Sequence, residues 1–328
     1  GFFMEKFFKL KERGSTVSKE IVGGITTFLA MAYILAVNPG ILSATGMSFG
    51  SVFTATAISS AIATLVMAFV ANLPVALAPG MGLNAFFTYT VVLQMGCSWQ
   101  FALTAVLIEG LIFILLSVFG VREAIVKSIP ESLKKAVSVG IGLFIALIGL
   151  ANAGIASSST GTIIGFVNFN LKNATALVAI IGLVVTIVLY VIKVPGSILL
   201  GIIITTIIGI PFGVTVIPEN FKPFSIPAAP YLFKFEFTNI FSVQFLVVLI
   251  TFLFTDMFDT LGTLMGVAEQ SNLKDEKGNI KNCKEALLAD SVGTVVGACL
   301  GTSTVTSFVE SSSGVAAGAK TGLASLTT

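Results

Sequence analysis

Asp256 and Asp259 lie inside a run, Phe245 to Val267, that is long and apolar enough to cross a membrane and contains no lysine or arginine. An ionisable side chain at mid-bilayer costs about 2.5–3.5 kcal/mol on insertion scales, so such residues face a cavity, a partner or a substrate path. Spaced i, i+3, the two carboxylates share a helix face, and their titrations couple. They can hold a proton, an ion or a polar solute, or one of them can bond free N–H groups of an unwound span. Glu310 is a third acid, set between the Ser/Thr-rich stretch 302–308 and Ser311-Ser312-Ser313-Gly314. It stands at the expected start of a helix, where burial opposes its charge and the helix dipole favours it. That balance suits proton exchange, and a simple cap is the plainer alternative. Asn84 follows Pro79-Gly80-Met81-Gly82 and falls on the first turn of an expected half-helix. There it can meet a polar solute or cap the turn, while the glycines expose backbone amides. Glu109, within another apolar run, is a candidate for coupling or gating. Asp290, near the start of a later run, is a candidate for a helix-end or supporting role.

The elements that carry these residues belong to a polytopic membrane protein. Of 328 residues, 55% are hydrophobic and only 10% charged, against about 25% charged in soluble domains. Mean hydropathy is +1.01. The net charge of +2 gives no reason to expect a nucleic-acid partner. Histidine is absent, which excludes Ser-His-Asp catalysis, histidine proton relays and histidine-bound metal. Cys97, Cys283 and Cys299 are scattered without a CxxC pair, so no metal, cofactor or disulfide framework is expected. An intramembrane aspartyl protease needs a GxGD motif that the chain lacks.

Apolar segments fall near 20–37, 51–72, 80–95, 100–119, 133–151, 174–192, 196–211, 243–267 and 285–300, with a tenth beginning near 308. The third and seventh are short, and the third and tenth open on extended, helix-breaking sequence. Residues 1–19 read as an amphipathic segment on the membrane surface, with Phe3, Phe7 and Leu10 as its apolar face. The long loop 212–242 carries four prolines. Basic residues sort by side. Lys6, Lys9, Lys11, Arg13, Lys19, Arg122, Lys127, Lys134, Lys135, Lys193, Lys274, Lys277, Lys281 and Lys284 share one face of the membrane if the N-terminus is cytoplasmic. Glu269 and Gln270 then fall at the interface. Thr27-Phe28-Leu29 recurs as Thr251-Phe252-Leu253, 224 residues later. Paired interrupted spans in corresponding halves point to a transporter's midplane site. Seven spans per unit require the second unit to be inverted.

Four blocks carry a resemblance that runs through the chain from about residue 4: TTFLAMAYILAVNPGIL (26–42), ALAPGMGLNAFF (76–87), TDMFDTLGTLMGVAEQ (255–270) and ADSVGTVVGACLGTSTVTSFVESSSGVAAGAKTGL (289–323). They resemble the AzgA-like purine permeases, a branch of the nucleobase/ascorbate transporter superfamily. The resemblance implies an all-α, seven-plus-seven inverted-repeat fold with core and gate domains. Residues 20–119 and 243–328 would belong to the core, 120–211 to the gate, and 212–242 to an extracellular loop. It implies proton symport of hypoxanthine, guanine or adenine by an elevator-like motion, without other cofactors. Asn84, Asp256, Glu310 and Gly82 match substrate-binding positions, with Asp259 in support. Glu109 and Asp290 stay as proton-coupling or supporting candidates from their positions in apolar runs. A multi-pass protein of the plasma (inner) membrane is expected, in contact with lipid, and a homodimer is allowed. The repeat offset implies a complete protein of roughly 440 residues, so about four spans are expected beyond this chain, without which it should not transport. A related anion carrier and a non-transporting membrane protein are the alternative readings.

Overall fold

The computed structural model describes residues 2–158, 164–167, 171–271, 273–274, 276 and 280–328, which leaves Lys277 outside the described residues. Contacts divide the chain into two compact units, Gly1–Val139 with Pro227–Thr328, and Gly140–Ile226.

The first unit begins with α1 (Phe2–Phe7), α2 (Val17–Met31) and α3 (Ile34–Leu42). Thr16 caps α2 by accepting from the Lys19 N–H at 3.4 Å. Phe2 and Phe3 of α1 are exposed, but Phe8 and Leu10 are fully buried beside Leu323. Leu10 therefore packs into protein, a correction to its expected place on a lipid-facing surface. Next comes α4 (Phe49–Val66), which widens into π-helical turns over 67–71 and stops at Asn72 in the left-handed region. An extended stretch with β1 (Leu77–Pro79) leads into α5 (Met81–Ala85), and wide turns continue to Gln94. α6 (Trp99–Val118) and α7 (Val121–Ser128) follow, and α8 (Glu131–Asn152) crosses the boundary at residue 139.

The second unit holds the antiparallel pair β2 (Ala156–Ser157) and β3 (Gly165–Phe166), then α9 (Ala174–Val191) and α10 (Ser197–Gly209). A Cβ on Gly182 would sit 2.2 Å from Thr205 Oγ1, and one on Gly201 would sit 2.0 Å from Thr186 Oγ1. This reciprocal glycine–threonine seam brings two helices close where lipid supplies no hydrophobic drive.

The chain then returns to the first unit with α11 (Val243–Ser271), α12 (Cys283–Leu300), β4 (Val305–Ser307), α13 (Ser311–Ala316) and α14 (Gly322–Thr327). Among the described residues, six helical stretches are long and apolar enough to cross a membrane, and Ser197–Gly209 is a shorter apolar helix. The tenth segment opens on extended backbone, β4, as its sequence predicts, and passes into the short helix α13, which stops where Gly318 adopts a left-handed φ of 110°.

β1 and β4 lie antiparallel, with Leu77 opposite Ser307, Ala78 opposite Thr306 and Pro79 opposite Val305. Bonds from Gly80 N to Thr304 O at 3.0 Å and from Phe308 N to Ala76 O at 2.9 Å flank the pair. A two-stranded ribbon leaves two open edges, and hydroxyls close much of them. Thr64 Oγ1 accepts from Leu77 N at 3.1 Å, Ser311 Oγ accepts from Ala76 N at 3.0 Å, and Thr294 Oγ1 donates to Val305 O at 2.9 Å. Extended backbone at membrane depth thus finds partners within the protein. Glycines let α12 pack closely on its neighbours: a Cβ on Gly293 would fall 2.6 Å from Ala63 Cβ of α4 and 2.9 Å from Val305 Cγ1 of β4, and one on Gly110 of α6 would fall 2.7 Å from Val295 Cγ2 of α12.

Glu20 ties the start of the chain to its last helix. It is fully buried and accepts from the N–H groups of Lys320 at 2.8 Å, Thr321 at 3.1 Å and Ala324 at 3.2 Å, at the open N-terminus of α14. Ser15 Oγ donates to the same carboxylate, and Asn72 Oδ1 accepts from Gly322 N at 2.8 Å. Arg13 donates to the carbonyls of Asn72 and Lys320, and burial pushes its guanidinium pKa below the usual arginine value. Glu20→Ala strands three donors, so it should destabilise the unit by about 3 kcal/mol or more. Thermal unfolding of the solubilised protein checks this, with Glu20→Gln recovering part of the loss.

Candidate functional site

The acids around the β1–β4 ribbon fall into two groups by exposure, a partly exposed front group and a fully buried back group. The front group contains Glu310, Asp259, Tyr33 and the asparagines. Glu310 precedes α13 and keeps partial exposure, beside Val309, which is 57% exposed. Tyr33, at the break between α2 and α3, donates its hydroxyl to Glu310 Oε1. Asp259 is also partly exposed. Its Oδ2 lies 3.4 Å from where a Cβ on Gly80 would sit, and the same Cβ would meet Thr306 Cγ2 at 2.6 Å. Only glycine lets β1 turn into α5 so close to that carboxylate.

Asn84 is fully buried in α5, its N–H bonded to Gly80 O at 2.9 Å. Its side chain is oriented by a second asparagine. Asn84 Nδ2 donates to Asn38 Oδ1 at 3.1 Å, and Asn38 Nδ2 donates to Thr56 Oγ1 at 2.7 Å and Thr302 Oγ1 at 2.8 Å. Both donors of Asn38 are thereby used, and Asn84 Oδ1 keeps no protein partner. A buried amide oxygen without a donor is costly, and a ligand N–H would satisfy it. Gly82 is buried in the first turn of α5 and its carbonyl accepts from Phe86 N, so it contributes close packing there.

The back group is fully buried: Glu109, Asp256, Asp290 and Arg122 all have no exposed surface. Arg122 was expected among the cytoplasmic-side charges and instead enters the protein. Its Nη2 lies 2.9 Å from Asp290 Oδ2 and 3.7 Å from Asp256 Oδ2. Nη1 donates to Ser291 Oγ at 2.8 Å and to Leu287 O at 3.1 Å, and the guanidinium sits 3.8 Å above the Phe113 ring. Asp290 is therefore no helix-end residue. It lies two turns into α12, where the charge of Arg122 compensates its own. Thr260 Oγ1 approaches Asp290 Oδ2 at 3.1 Å, Asp256 Oδ1 at 3.3 Å and Thr306 Oγ1 at 2.9 Å. Thr306 also hydrogen-bonds Asp259, so one strand hydroxyl stands between the two groups. Glu109 Oε2 accepts from Thr304 Oγ1 at 2.8 Å, and its carboxyl faces that of Asp256.

The i, i+3 spacing of Asp256 and Asp259 thus splits their roles in space, Asp256 turning toward Glu109 and Arg122 and Asp259 toward Gly80 and Glu310. Tyr33, Asn38, Arg122, Thr260, Thr304 and Thr306 complete the constellation. Thr304 and Thr306 belong to the Ser/Thr-rich stretch 302–308 singled out in the sequence, whereas no local signal marked Asn38 or Thr260. Glu269 and Gln270 are exposed, and Glu269 pairs with Lys274 at 3.4 Å, as an interfacial position allows. A separate cavity of about 360 Å³ touches Phe28, Met31, Leu35, Ala61, Leu77 and Thr327 and has no ionisable side chain in its wall.

Losing Arg122 leaves two carboxylates without their cation, so Arg122→Gln should destabilise by about 3–5 kcal/mol. Asp290→Asn added to it should restore part of the stability, and a double-mutant cycle on unfolding midpoints measures that coupling.

The chain is similar to known proteins along nearly its whole length. The profile of the Permease family matches residues 18–327. The chain is 46% identical over 337 residues to the guanine/hypoxanthine permease PbuG of Bacillus subtilis, covering 99% of this chain and 76% of that one. It is 38% identical to the adenine permease AdeP of Escherichia coli, covering 98% and 71% respectively. Among solved structures, the transmembrane domain of a cyanobacterial bicarbonate transporter, BicA, superposes with a TM-score of 0.67 at 16% identity, over 94% of this chain and 80% of that one. That last likeness concerns the fold alone.

Proposed function

The chain belongs to the Permease family, and on that premise we propose that it carries purine nucleobases across a membrane by proton symport. It is a multi-pass membrane protein and a permease rather than an enzyme. The relatives named for guanine, hypoxanthine and adenine support the substrate class. Two observations support the reading: Glu310 is a partly exposed acid at the start of α13, and the buried amide oxygen of Asn84 has no hydrogen-bond partner. A purine presents ring N–H donors beside a carbonyl or amino group on the same edge. Carboxylates accept such N–H groups strongly, and an amide oxygen accepts another. Asp259 lies on the same side, Tyr33 positions Glu310, and Asn38 positions Asn84. Asp256, matched by the family motif to a purine contact, is offered here as the link between that site and the buried charges.

Within this proposal the first unit acts as the core that moves the substrate in an elevator-like step. The second acts as part of the gate, in a seven-plus-seven inverted repeat. The cell membrane is the proposed location, with the N-terminus cytoplasmic. The anion-carrier reading is disfavoured by Glu310: a carboxylate at the start of α13 occupies the place where a helix dipole would attract an anion.

Glu310→Gln in the full-length protein should lower hypoxanthine uptake about a hundredfold in cells lacking their own purine uptake, since a charged acceptor is worth about 3 kcal/mol. Tyr33→Phe should cost about tenfold. Unlabelled guanine and adenine should compete, whereas competition by uracil or bicarbonate alone would overturn the substrate class.

A further inference from the structure

We infer that the coupled proton resides on the buried Glu109–Asp256 pair, behind the purine-facing acids, with Arg122 serving as the fixed counter-ion of Asp290. The inference rests on the symport reading above and assigns its site.

Charge sets the problem. Asp256 is faced by Glu109 from α6, Arg122 from α7 and Asp290 from α12, with Asp259 beside it on α11. The packed faces of α4 and β4 carry no ionisable side chain. Three fully buried carboxyls therefore share one guanidinium. Arg122 makes its short contact, 2.9 Å, with Asp290 and stands 3.7 Å from Asp256. Asp290 is thus the compensated acid, and Glu109 and Asp256 are left to each other.

Two atoms point to what lies between them. Glu109 Oε1 and Asp256 Oδ2 are both buried and both lack a hydrogen-bond partner, as does Asp290 Oδ1, whose carboxylate however has Arg122 at 2.9 Å. Two carboxylates cannot hydrogen-bond each other, whereas a carboxylic acid and a carboxylate can. A single proton on the pair supplies the missing donor and removes one of two adjacent like charges. Of the other oxygens, Glu109 Oε2 accepts from Thr304, and Asp256 Oδ1 lies 3.3 Å from the Thr260 hydroxyl, which is also within reach of Asp290.

The pair is joined to the purine side through the ribbon. Thr304, which donates to Glu109, offers its carbonyl to Gly80 N at the start of α5, the helix that carries Asn84. Thr260, which bonds Asp256, meets Thr306 on β4, and Thr306 reaches Asp259. Losing the proton recharges the pair and alters both hydroxyl contacts, so the strand that holds the purine contacts senses the protonation state. Arg122 acts on substrate only through these residues and is a positioning residue.

The test uses the full-length protein in vesicles. One coupled proton supports at most about tenfold accumulation of hypoxanthine per pH unit of inward gradient. Glu109→Gln keeps the shape and the hydrogen bonds but cannot ionise. It should bring the accumulation ratio to about one, while exchange of labelled for unlabelled hypoxanthine at matched pH keeps the wild-type KM. Thr304→Val, which removes the donor to Glu109, should shift the pH dependence of accumulation and spare exchange, and it serves if Glu109→Gln does not fold. A Glu109→Gln protein that still concentrates hypoxanthine overturns the assignment. So does one that unfolds at the wild-type temperature but has lost exchange, because Glu109 would then belong to the purine site. A wild-type protein indifferent to the proton gradient sinks the symport reading and this inference together.

Discussion

Backbone that leaves a helix inside a membrane must find its hydrogen bonds within the protein, and the antiparallel pairing of β1 with β4 is how this chain does so. The functional arrangement hangs from that ribbon. The strands are three residues each, and because they run antiparallel the short helices that follow them, α5 and α13, start at opposite ends of the ribbon. Hydroxyls replace the neighbouring strands that a larger sheet would supply. Thr64, Thr294 and Ser311 close backbone groups, while Thr304 and Thr306 turn their side chains to acids. Serine and threonine in this region are structural bonds and charge partners together, which explains their density in 302–313.

The ribbon also sorts charge by depth. In front, Glu310 and Asp259 keep some access to the outside of the protein; behind, Glu109, Asp256 and Asp290 keep none and share Arg122. A buried arginine whose partners were removed would be an uncompensated charge, and so would the acids without it. The guanidinium fork suits this place because it serves Asp290, Ser291 and the Leu287 carbonyl at once while its face rests on Phe113.

Much of this was legible in the sequence. An acid inside an apolar run is expensive, and Asp256, Glu109 and Glu310 stood out for that reason. Pro79-Gly80 and the Ser/Thr run marked the two breaks that become β1 and β4. The relation between those breaks was not legible, because pairing of segments more than 200 residues apart leaves no local trace. Arg122 misled for a physical reason: a basic residue just past the end of an apolar helix has the composition of an interfacial anchor, and only tertiary packing turns it inward. For Asp290 a helix-end and a supporting role stayed open in the sequence, because its partner Arg122 lies 168 residues away. Asn38 carried no signal at all, since its place beside Asn84 depends on how α3 meets α5.

The Glu20 contacts carry a consequence for the order of assembly. The carboxylate is made early, in the first membrane helix, whereas the N–H groups that receive it lie 300 residues or more further along. During synthesis the helix enters the bilayer with this acid unmatched, which favours leaving it in the headgroup region. Only after residue 324 emerges does the acid exchange lipid and water for backbone donors. The clasp between Glu20 and α14 therefore cannot form until residues 320–324 have been made, so the acid waits for its donors through the synthesis of everything between them.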